Sequence, residues 1–209
     1  KLPYSKNEEL ANTLTHGLGA ILSLLGLIIL LTQAIQNKSI NEFISYLVFG
    51  LSLIPLYSAS TAYHFVTSIK MKIKMKKLDH ICIYYLIAGS YTPFIILNLD
   101  GSVRTISIIT IWMIALLGTI LKLREKKRNI MISVSLYLIM GWLIVFIQGP
   151  MLTSMPQNSK DLLFLGGLFY TLGVPFYLLK KVPYHHALWH LMVLGGSICH
   201  YYAIKWTNL

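Results

Sequence analysis

Long apolar blocks are the feature that most constrains this chain. An α-helix needs about 20 mostly apolar residues to cross the hydrocarbon core of a bilayer, and seven blocks of roughly that length follow one another along the sequence. The short connections leave no room for a separate soluble domain. The sequence therefore predicts an all-α integral membrane protein, a single domain over residues 1–209 forming a seven-transmembrane helix bundle. The predicted spans are 14–35, 43–66, 79–99, 103–121, 130–147, 162–179 and 185–204.

Basic residues are concentrated in alternate connections between these blocks. The segments before the first, third, fifth and seventh blocks hold 14 of the 18 Lys and Arg residues, and the other side holds 4. Cytoplasmic loops of membrane proteins are enriched in Lys and Arg, so the N-terminus is predicted to be cytoplasmic and the C-terminus outside. The same bias accounts for the net charge of +11, and no nucleic-acid partner is expected. The predicted location is the bacterial cell membrane. Within the chain, Gly149-Pro150 is predicted to end the fifth span.

Four small groups of polar residues interrupt the apolar blocks near their ends. Ionisable groups at such positions are costly in a bilayer and are usually functional. The groups are Glu9, Asn12 and His16; Ser60 and His64; Asp79 and His80; and His185, His186 and His190. The orientation above places all four near the cytoplasmic boundary, within a turn or two of one depth. Because loop charge sets that depth independently of the histidines, the coincidence indicates one shared site.

His186 and His190 have the spacing of a metal-binding pair. Residues four apart lie on one face of a helix, and two imidazoles placed in this way can bind one ion. His64 is the predicted third ligand. Three histidines and an open position are typical of catalytic zinc, which lowers the pKa of a bound water to about 7. The predicted cofactor is therefore Zn²⁺, with Asp79 as general base and Ser60 as a hydrogen-bonding partner of the water or of that carboxylate.

Each of these residues also has a simpler structural interpretation. An interfacial histidine is more often a polar cap on a helix end than a ligand. Asp79 could cap the first turn of the third span, Ser60 could be a helix-packing serine, and Glu9 could be a solvated charge. His200 lies about 15 Å beyond His190 along the same helix, so we expect it to make a polar contact in the outer half of the membrane.

Four ordered segments resemble the motifs of the hemolysin III family, which is grouped with the progesterone and adipoQ receptors and the adiponectin receptors. They are EELANTLTHGLGA, SASTAYH, KLDHICIYYLIAGSYTPF and HHALWHLMVLGGSICHYY. The resemblance covers nearly the whole chain and implies seven helices with a cytoplasmic N-terminus. It also implies zinc bound by His64, His186 and His190, with Asp79 and Ser60 beside a metal-bound water.

The resemblance also suggests what such a site would do. The wider superfamily includes alkaline ceramidases, which implies hydrolysis of a lipid amide or ester, with membrane lipids as partners and a ceramide-like lipid as substrate. Glu9, Asn12 and His16, in the first motif, are then expected beside the metal ligands. Two alternatives stay open: a membrane sensor or regulator with structural zinc, and a hemolysin acting on host membranes. The hemolysin is less expected, because a secreted toxin must be soluble before it inserts.

Overall fold

The computed structural model describes residues 4–125 and 129–207, and within those ranges the chain forms helices and no strand. Five helices, namely α1, α2, α3, α4 and α7, are long and apolar enough to cross a membrane. The last helix is long enough but carries four histidines. The predicted all-α membrane fold is confirmed at this level. The helices are α1 Lys6–Gln36, α2 Ile40–Phe65, α3 Ile69–Asn98, α4 Gly101–Arg124, α5 Ile130–Gly141, α6 Ile144–Ser154, α7 Gln157–Leu178 and α8 His185–Lys205.

The first helix begins earlier than the apolar block that predicts it. The Ser5 hydroxyl accepts a hydrogen bond from the Glu8 backbone N–H at 3.3 Å, and the Glu8 carboxylate accepts one from the Ser5 N–H at 2.9 Å. This capping box satisfies N–H groups that have no partner inside the helix. The helix therefore begins at Lys6 rather than Leu14, and its polar first turns belong to the same rigid element as the span.

The third helix also begins earlier than predicted, and this changes the interpretation of Asp79. The helix begins at Ile69, directly after Ser68, so Asp79 lies well inside it. The alternative that Asp79 caps the helix is therefore wrong. The segment 69–78 consists of Lys, Met, Ile and Leu. Most of these are good helix formers, and the lysines that mark the segment as a loop do not end a helix.

The predicted fifth span is divided into α5 and α6, and the break lies elsewhere than expected. The prediction that Gly149-Pro150 ends the span is wrong, because α6 continues through both residues; membrane helices tolerate the N–H that a proline removes. The chain turns instead at 142–143. There the Tyr91 hydroxyl of α3 accepts a hydrogen bond from the Ile144 N–H at 2.7 Å and donates to the Gly141 carbonyl at 2.7 Å. These bonds satisfy backbone groups that the break exposes.

Close packing joins α1, α2 and α3. Gly19 of α1 lies against the ring of Tyr57, and Gly89 of α3 lies against the side chain of Ser52, both closer than a Cβ would allow. Small residues at such contacts let membrane helices approach one another. On the other side of the bundle α7 packs against α8, which also contacts α1. The outward faces of α1 and α4 are rich in exposed Leu and Ile, as expected for lipid contact.

Candidate metal centre

Three histidines from two helices come together at one end of the bundle. His64 lies in the last turn of α2, and His186 and His190 lie in the first two turns of α8. One ring nitrogen of each lies within 4.8 Å of a ring nitrogen of the other two. All three side chains are buried. The fold therefore brings together the three residues that spacing and depth single out, and they are called the histidine cluster below.

A carboxylate of α1 sets the orientation of the His64 ring. Glu9 Oε2 lies 2.7 Å from His64 Nδ1. A carboxylate only accepts hydrogen bonds, so Nδ1 carries the proton and Nε2 keeps its lone pair. A carboxylate that holds the far nitrogen of a metal-binding histidine in this way fixes its tautomer and makes it a better ligand. The interpretation of Glu9 as a solvated charge is therefore wrong.

The His190 ring is oriented by the main chain and a hydroxyl of α1. Its Nδ1 lies 3.0 Å from Thr15 Oγ1 and 3.2 Å from the Asn12 carbonyl. The Thr15 hydroxyl itself donates to the carbonyls of Ala11 and Asn12, which leaves it free to accept. Nδ1 is therefore the protonated nitrogen of His190, and its Nε2 lone pair is available, as in His64.

His186 is enclosed by aromatic rings. The Tyr4 ring stacks on it with centroids 5.0 Å apart, and the Trp189 ring lies at the same distance in a tilted arrangement. The imidazoles of His64 and His190 lie 4.9 and 4.6 Å away. Neither ring nitrogen of His186 has a hydrogen-bond partner among the described residues.

The chemistry of the histidine cluster fits a metal ion. His64 Nε2 and His190 Nε2, like both nitrogens of His186, are buried without hydrogen-bond partners in the described part of the chain. A buried polar atom left unpaired costs roughly 1–3 kcal/mol, and several occur here in one place. Neutral imidazole nitrogens are preferred ligands of Zn²⁺. A cation held by three of them would remove the cost.

The remaining residues of the first motif also surround the cluster. The His16 ring stacks on the His190 ring, with centroids 3.4 Å apart and an angle of 10° between the planes. The His16 ring also meets the Tyr57 ring edge-on, with centroids 4.9 Å apart. Asn12 is fully buried, and neither its amide oxygen nor its nitrogen has a described hydrogen-bond partner. Glu9, Asn12 and His16 therefore present one face of α1 to the histidines.

Ser60 and Asp79 lie at the depth of the cluster on α2 and α3. Ser60 is one turn before His64, fully buried, and its hydroxyl has no hydrogen-bond partner among the described residues. Asp79 is also buried. Gly89 lies against Ser52, and α2 and α3 run in opposite directions. Ten residues back along α3 therefore correspond to ten residues forward along α2, which places Asp79 at a level between Ser60 and His64.

Two predicted polar positions have other partners. His185 Nδ1 donates to the Phe176 carbonyl at 2.8 Å. His80 Nδ1 donates to the Lys76 carbonyl at 2.5 Å, and the Tyr177 hydroxyl lies 3.2 Å from the other ring nitrogen of His80. These histidines position helix ends and neighbouring side chains, and they are not members of the histidine cluster.

Thr15 and Lys72 lie at the site although the sequence analysis does not single them out. Thr15 hydrogen-bonds His190, as described above. Lys72 counts as a loop lysine in the sequence, but it is buried in α3 and its Nζ lies 2.8 Å from Glu9 Oε1. One signal could have revealed it, because Lys72 precedes Asp79 by seven residues and therefore lies on the same helical face.

An apolar cavity inside the bundle begins next to the histidine cluster, and its described lining residues do not include the three imidazoles themselves. His16, Tyr177 and Trp189 line the end beside the cluster, and Phe94 and His200 line the opposite end. The walls between them are mostly Leu, Ile, Val and aromatic side chains of α2, α3, α5, α7 and α8. A long apolar group could therefore lie inside the bundle with one end against His16 and Trp189, whose rings contact His190 and His186.

Apolar helices with exposed aliphatic faces, closed at one end around three buried histidines, define a multi-pass membrane protein with a candidate metal centre. The chain matches the family described as "Haemolysin-III related" over residues 4–201, and it belongs to that family. It is therefore a multi-pass membrane protein, located in bacteria in the cell membrane.

Relatives from bacteria and animals cover nearly the whole chain. The "Hemolysin-3 homolog" of Bacillus subtilis is 40% identical over 96% of this chain and 94% of the relative. The "Hemolysin-3" of Bacillus cereus is also 40% identical, over 94% of this chain and 90% of its own. The human "Monocyte to macrophage differentiation factor" is 32% identical over 97% of this chain and 84% of its own length. The similarity therefore extends through all of the helices that form the site.

Proposed function

We propose that this protein is a zinc-dependent membrane hydrolase that cleaves an amide or ester bond of a lipid, with a ceramide-like substrate. The observation that carries the proposal is the position of the histidine cluster. Three buried imidazoles with available nitrogens lie directly behind His16 and Trp189, two rings that line one end of an apolar cavity. A metal site beside a compartment for an acyl chain would bring a lipid carbonyl to the metal while keeping the tail out of water.

Named residues have distinct tasks in this proposal. His64, His186 and His190 would hold the ion. Zinc bound by three histidines polarises a carbonyl and makes a bound water acidic near pH 7. Asp79, at the depth of the cluster, would accept the proton of the attacking water and return it to the leaving group. Ser60 would hold the water or the Asp79 carboxylate in place through its hydroxyl.

The topology in this proposal has seven crossings, with α5 and α6 together forming the fifth. Each of these two helices is about 16–18 Å long at the normal rise, so the pair can span the hydrocarbon core of about 30 Å and neither can alone. The Lys and Arg distribution supports a cytoplasmic N-terminus, which places the histidine cluster near the inner leaflet. Thiol labelling of single cysteines at positions 38 and 67, which lie in the connections before and after α2, tests this arrangement.

Lipid turnover by the purified protein in lipid nanodiscs tests the activity. Ceramide hydrolysis should stop on treatment with a strong chelator and return with added zinc. Asp79→Asn should lower kcat by about 10²–10⁴-fold, the usual contribution of a general acid–base group, without changing the metal content. His185→Gln is the matched control, because glutamine can still donate to the Phe176 carbonyl and the residue is outside the cluster. Full turnover in Asp79→Asn would contradict the assigned role.

A structural metal in a membrane sensor or regulator is the second candidate. It is favoured by the origin of the ligands, because His64 belongs to α2 while His186 and His190 belong to α8, so an ion would tie two helices separated along the chain. Chelation would then lower the thermal unfolding temperature, since a ligand that binds only the native state stabilises it, and no lipid would be consumed. If the protein is instead the proposed hydrolase, the lysis implied by the names of the Bacillus relatives would result from changes in membrane lipids.

A further inference from the structure

One lysine of the basic segment between α2 and the apolar part of α3 is unlike its neighbours. Lys70 and Lys74 are exposed, as expected for residues near the membrane surface, whereas Lys72 is only 6% exposed. A lysine ammonium is rarely buried without a partner, because desolvation of the charge is costly. The position of Lys72 therefore requires an explanation, and its contacts supply one.

We propose that Lys72 is a positioning residue that acts through Glu9 to orient His64 for metal binding. The inference rests on the metal site proposed above. Lys72 Nζ forms an ion pair with Glu9 Oε1 at 2.8 Å, while Glu9 Oε2 lies 2.7 Å from His64 Nδ1. The two carboxylate oxygens are thus divided between the cation and the imidazole. The ion pair at one oxygen and the hydrogen bond at the other both oppose rotation of the carboxylate away from the ring.

The burial of this chain of contacts makes each member dependent on the others. The side chains of Lys72, Glu9 and His64 are 8%, 12% and 0% exposed. Removing one partner of a buried ion pair leaves the other charge uncompensated, which is strongly unfavourable. Without Lys72, the Glu9 carboxylate would gain by turning toward water, and its hydrogen bond to His64 would be lost.

Lys72 also fixes the backbone that carries His64. Its Nζ donates to the carbonyls of Tyr63 at 3.0 Å, His64 at 3.3 Å and Val66 at 3.4 Å. Tyr63 and His64 lie in the last turn of α2, where carbonyls have no partner inside the helix and a positive charge is favoured. One ammonium therefore holds His64 twice, through its main chain and, by way of Glu9, through its ring.

Metal affinity in matched variants of the full-length protein tests the proposal. Apparent zinc affinity would be measured by competition with a chelator for the wild type, Lys72→Met, Glu9→Gln and the double variant. Partners behind a metal ligand are typically worth 10–100-fold in affinity, and we expect losses in that range for both single variants. Lys74→Met, two positions along the same helix but exposed, should stay within about twofold of the wild type on the same argument.

The double variant separates positioning from general stabilisation. If Lys72 acts through Glu9, the double variant should lose little more affinity than Lys72→Met alone, because residues in one network are not additive. Independent, multiplying losses would overturn the proposal, as would unchanged affinity in Lys72→Met. If Lys72→Met cannot be purified folded, Glu9→Gln and Lys72→Gln provide the same comparison with smaller changes in polarity.

A second readout distinguishes failure of this inference from failure of the proposed function. In protein labelled with ¹⁵N-histidine, the His64 ring should carry its proton on Nδ1 in the wild type without metal, and a mixture of tautomers should appear in Lys72→Met. If the wild type binds no zinc, the proposed function fails, and the tautomer still decides the role of Lys72. An unchanged His64 tautomer in Lys72→Met would contradict that role.

Discussion

His190 and His200 lie on the same helix, ten residues apart, and their surroundings differ in one decisive respect. Each ring has one nitrogen facing a main-chain carbonyl, that of Asn12 for His190 and that of Leu163 for His200. The free nitrogen of His190 faces two further imidazoles. The His200 ring instead meets the aromatic rings of Phe94 and Tyr170.

The comparison separates a histidine that is only oriented by its neighbours from one whose available nitrogen belongs to a group that could hold a metal ion. Both rings are positioned, and both have a buried nitrogen without a described hydrogen-bond partner. Only at the His190 end do several such nitrogens converge. At the His200 end the ring fills space between α3, α7 and α8, where the expected role of a polar contact in the other half of the bundle fits its hydrogen bond to Leu163.

The largest expected effect is the loss of metal when His190, but not His200, is replaced by alanine. His190→Ala should lower zinc affinity by at least about 100-fold, more than the loss of an outer partner usually does, because it removes one of three ligands. His200→Ala should leave the molar ratio of zinc to folded protein unchanged. Elemental analysis of both purified variants measures the difference. Equal zinc loss in the two variants would show that the histidine cluster is not the metal site.

A smaller effect should appear when the space for His200 is filled. A Cβ on Gly166 would collide with the His200 ring and lie 3.1 Å from the Gly196 carbonyl, whereas a Cβ on Gly167 would meet only the Trp142 ring at 3.8 Å. Gly166→Ala should therefore cost about 1–3 kcal/mol of unfolding free energy, as overpacking usually does. Gly167→Ala should be neutral or gain up to about 1 kcal/mol from helix propensity.

Denaturant unfolding of both glycine variants measures the difference in their unfolding free energies, and their zinc content is the control. If zinc binding is confined to the His190 end, neither substitution should change it. Zinc loss in Gly166→Ala would mean that packing around His200 affects metal binding at His190, so the two ends of the bundle would be coupled. Equal stability of the two variants would contradict the close contact between α7 and the His200 ring.

The smallest expected effect concerns a buried tyrosine that lines the cavity with His200. Tyr91→Phe removes a hydroxyl that serves the backbone on both sides of the α5–α6 break, and unsatisfied groups there should cost about 1–2 kcal/mol of stability. Tyr46→Phe is the matched control, because the Tyr46 hydroxyl is buried without a described hydrogen-bond partner. Its removal should be neutral or slightly stabilising. Thermal unfolding compares them, and equal losses would refute the role of Tyr91.

Local patterns in the sequence predict the apolar part of most helices and the histidines of the cluster. The apolar blocks correspond to α1, α2, α3, α4, α7 and α8, with the fifth shared by α5 and α6. The spacing of His186 and His190 is a property of a single helix, so it can be read without a structure. His64 belongs to another helix, so the sequence could relate it to this pair only through the shared depth that loop charge suggests. In the structure, the end of α2 lies beside the start of α8, which brings His64 to the pair.

Contacts between distant parts of the chain could not be predicted in the same way. At the break between α5 and α6, backbone groups bond the hydroxyl of Tyr91, which lies 50 residues before Gly141 in the sequence. The residue types at 142–143 do not indicate a break. Thr15 reaches His190 across 175 residues. Lys72 resembles any other lysine of its segment until α1 supplies Glu9. In each case the residue type is ordinary, and only the packing of another helix gives it a specific partner.

The break between α5 and α6 also forms part of the wall of the apolar cavity. Tyr137 and Leu138 before it, Trp142 within it and Ile144 after it all face that compartment, and the Trp142 indole donates to Thr171 of α7 at 3.1 Å. One wall therefore consists of two helices joined by a turn that is bonded to α7, whereas the other walls are continuous helices. The shape of the compartment at this turn therefore depends on the Tyr91 and Trp142 contacts, which are separate from those that hold the three imidazoles.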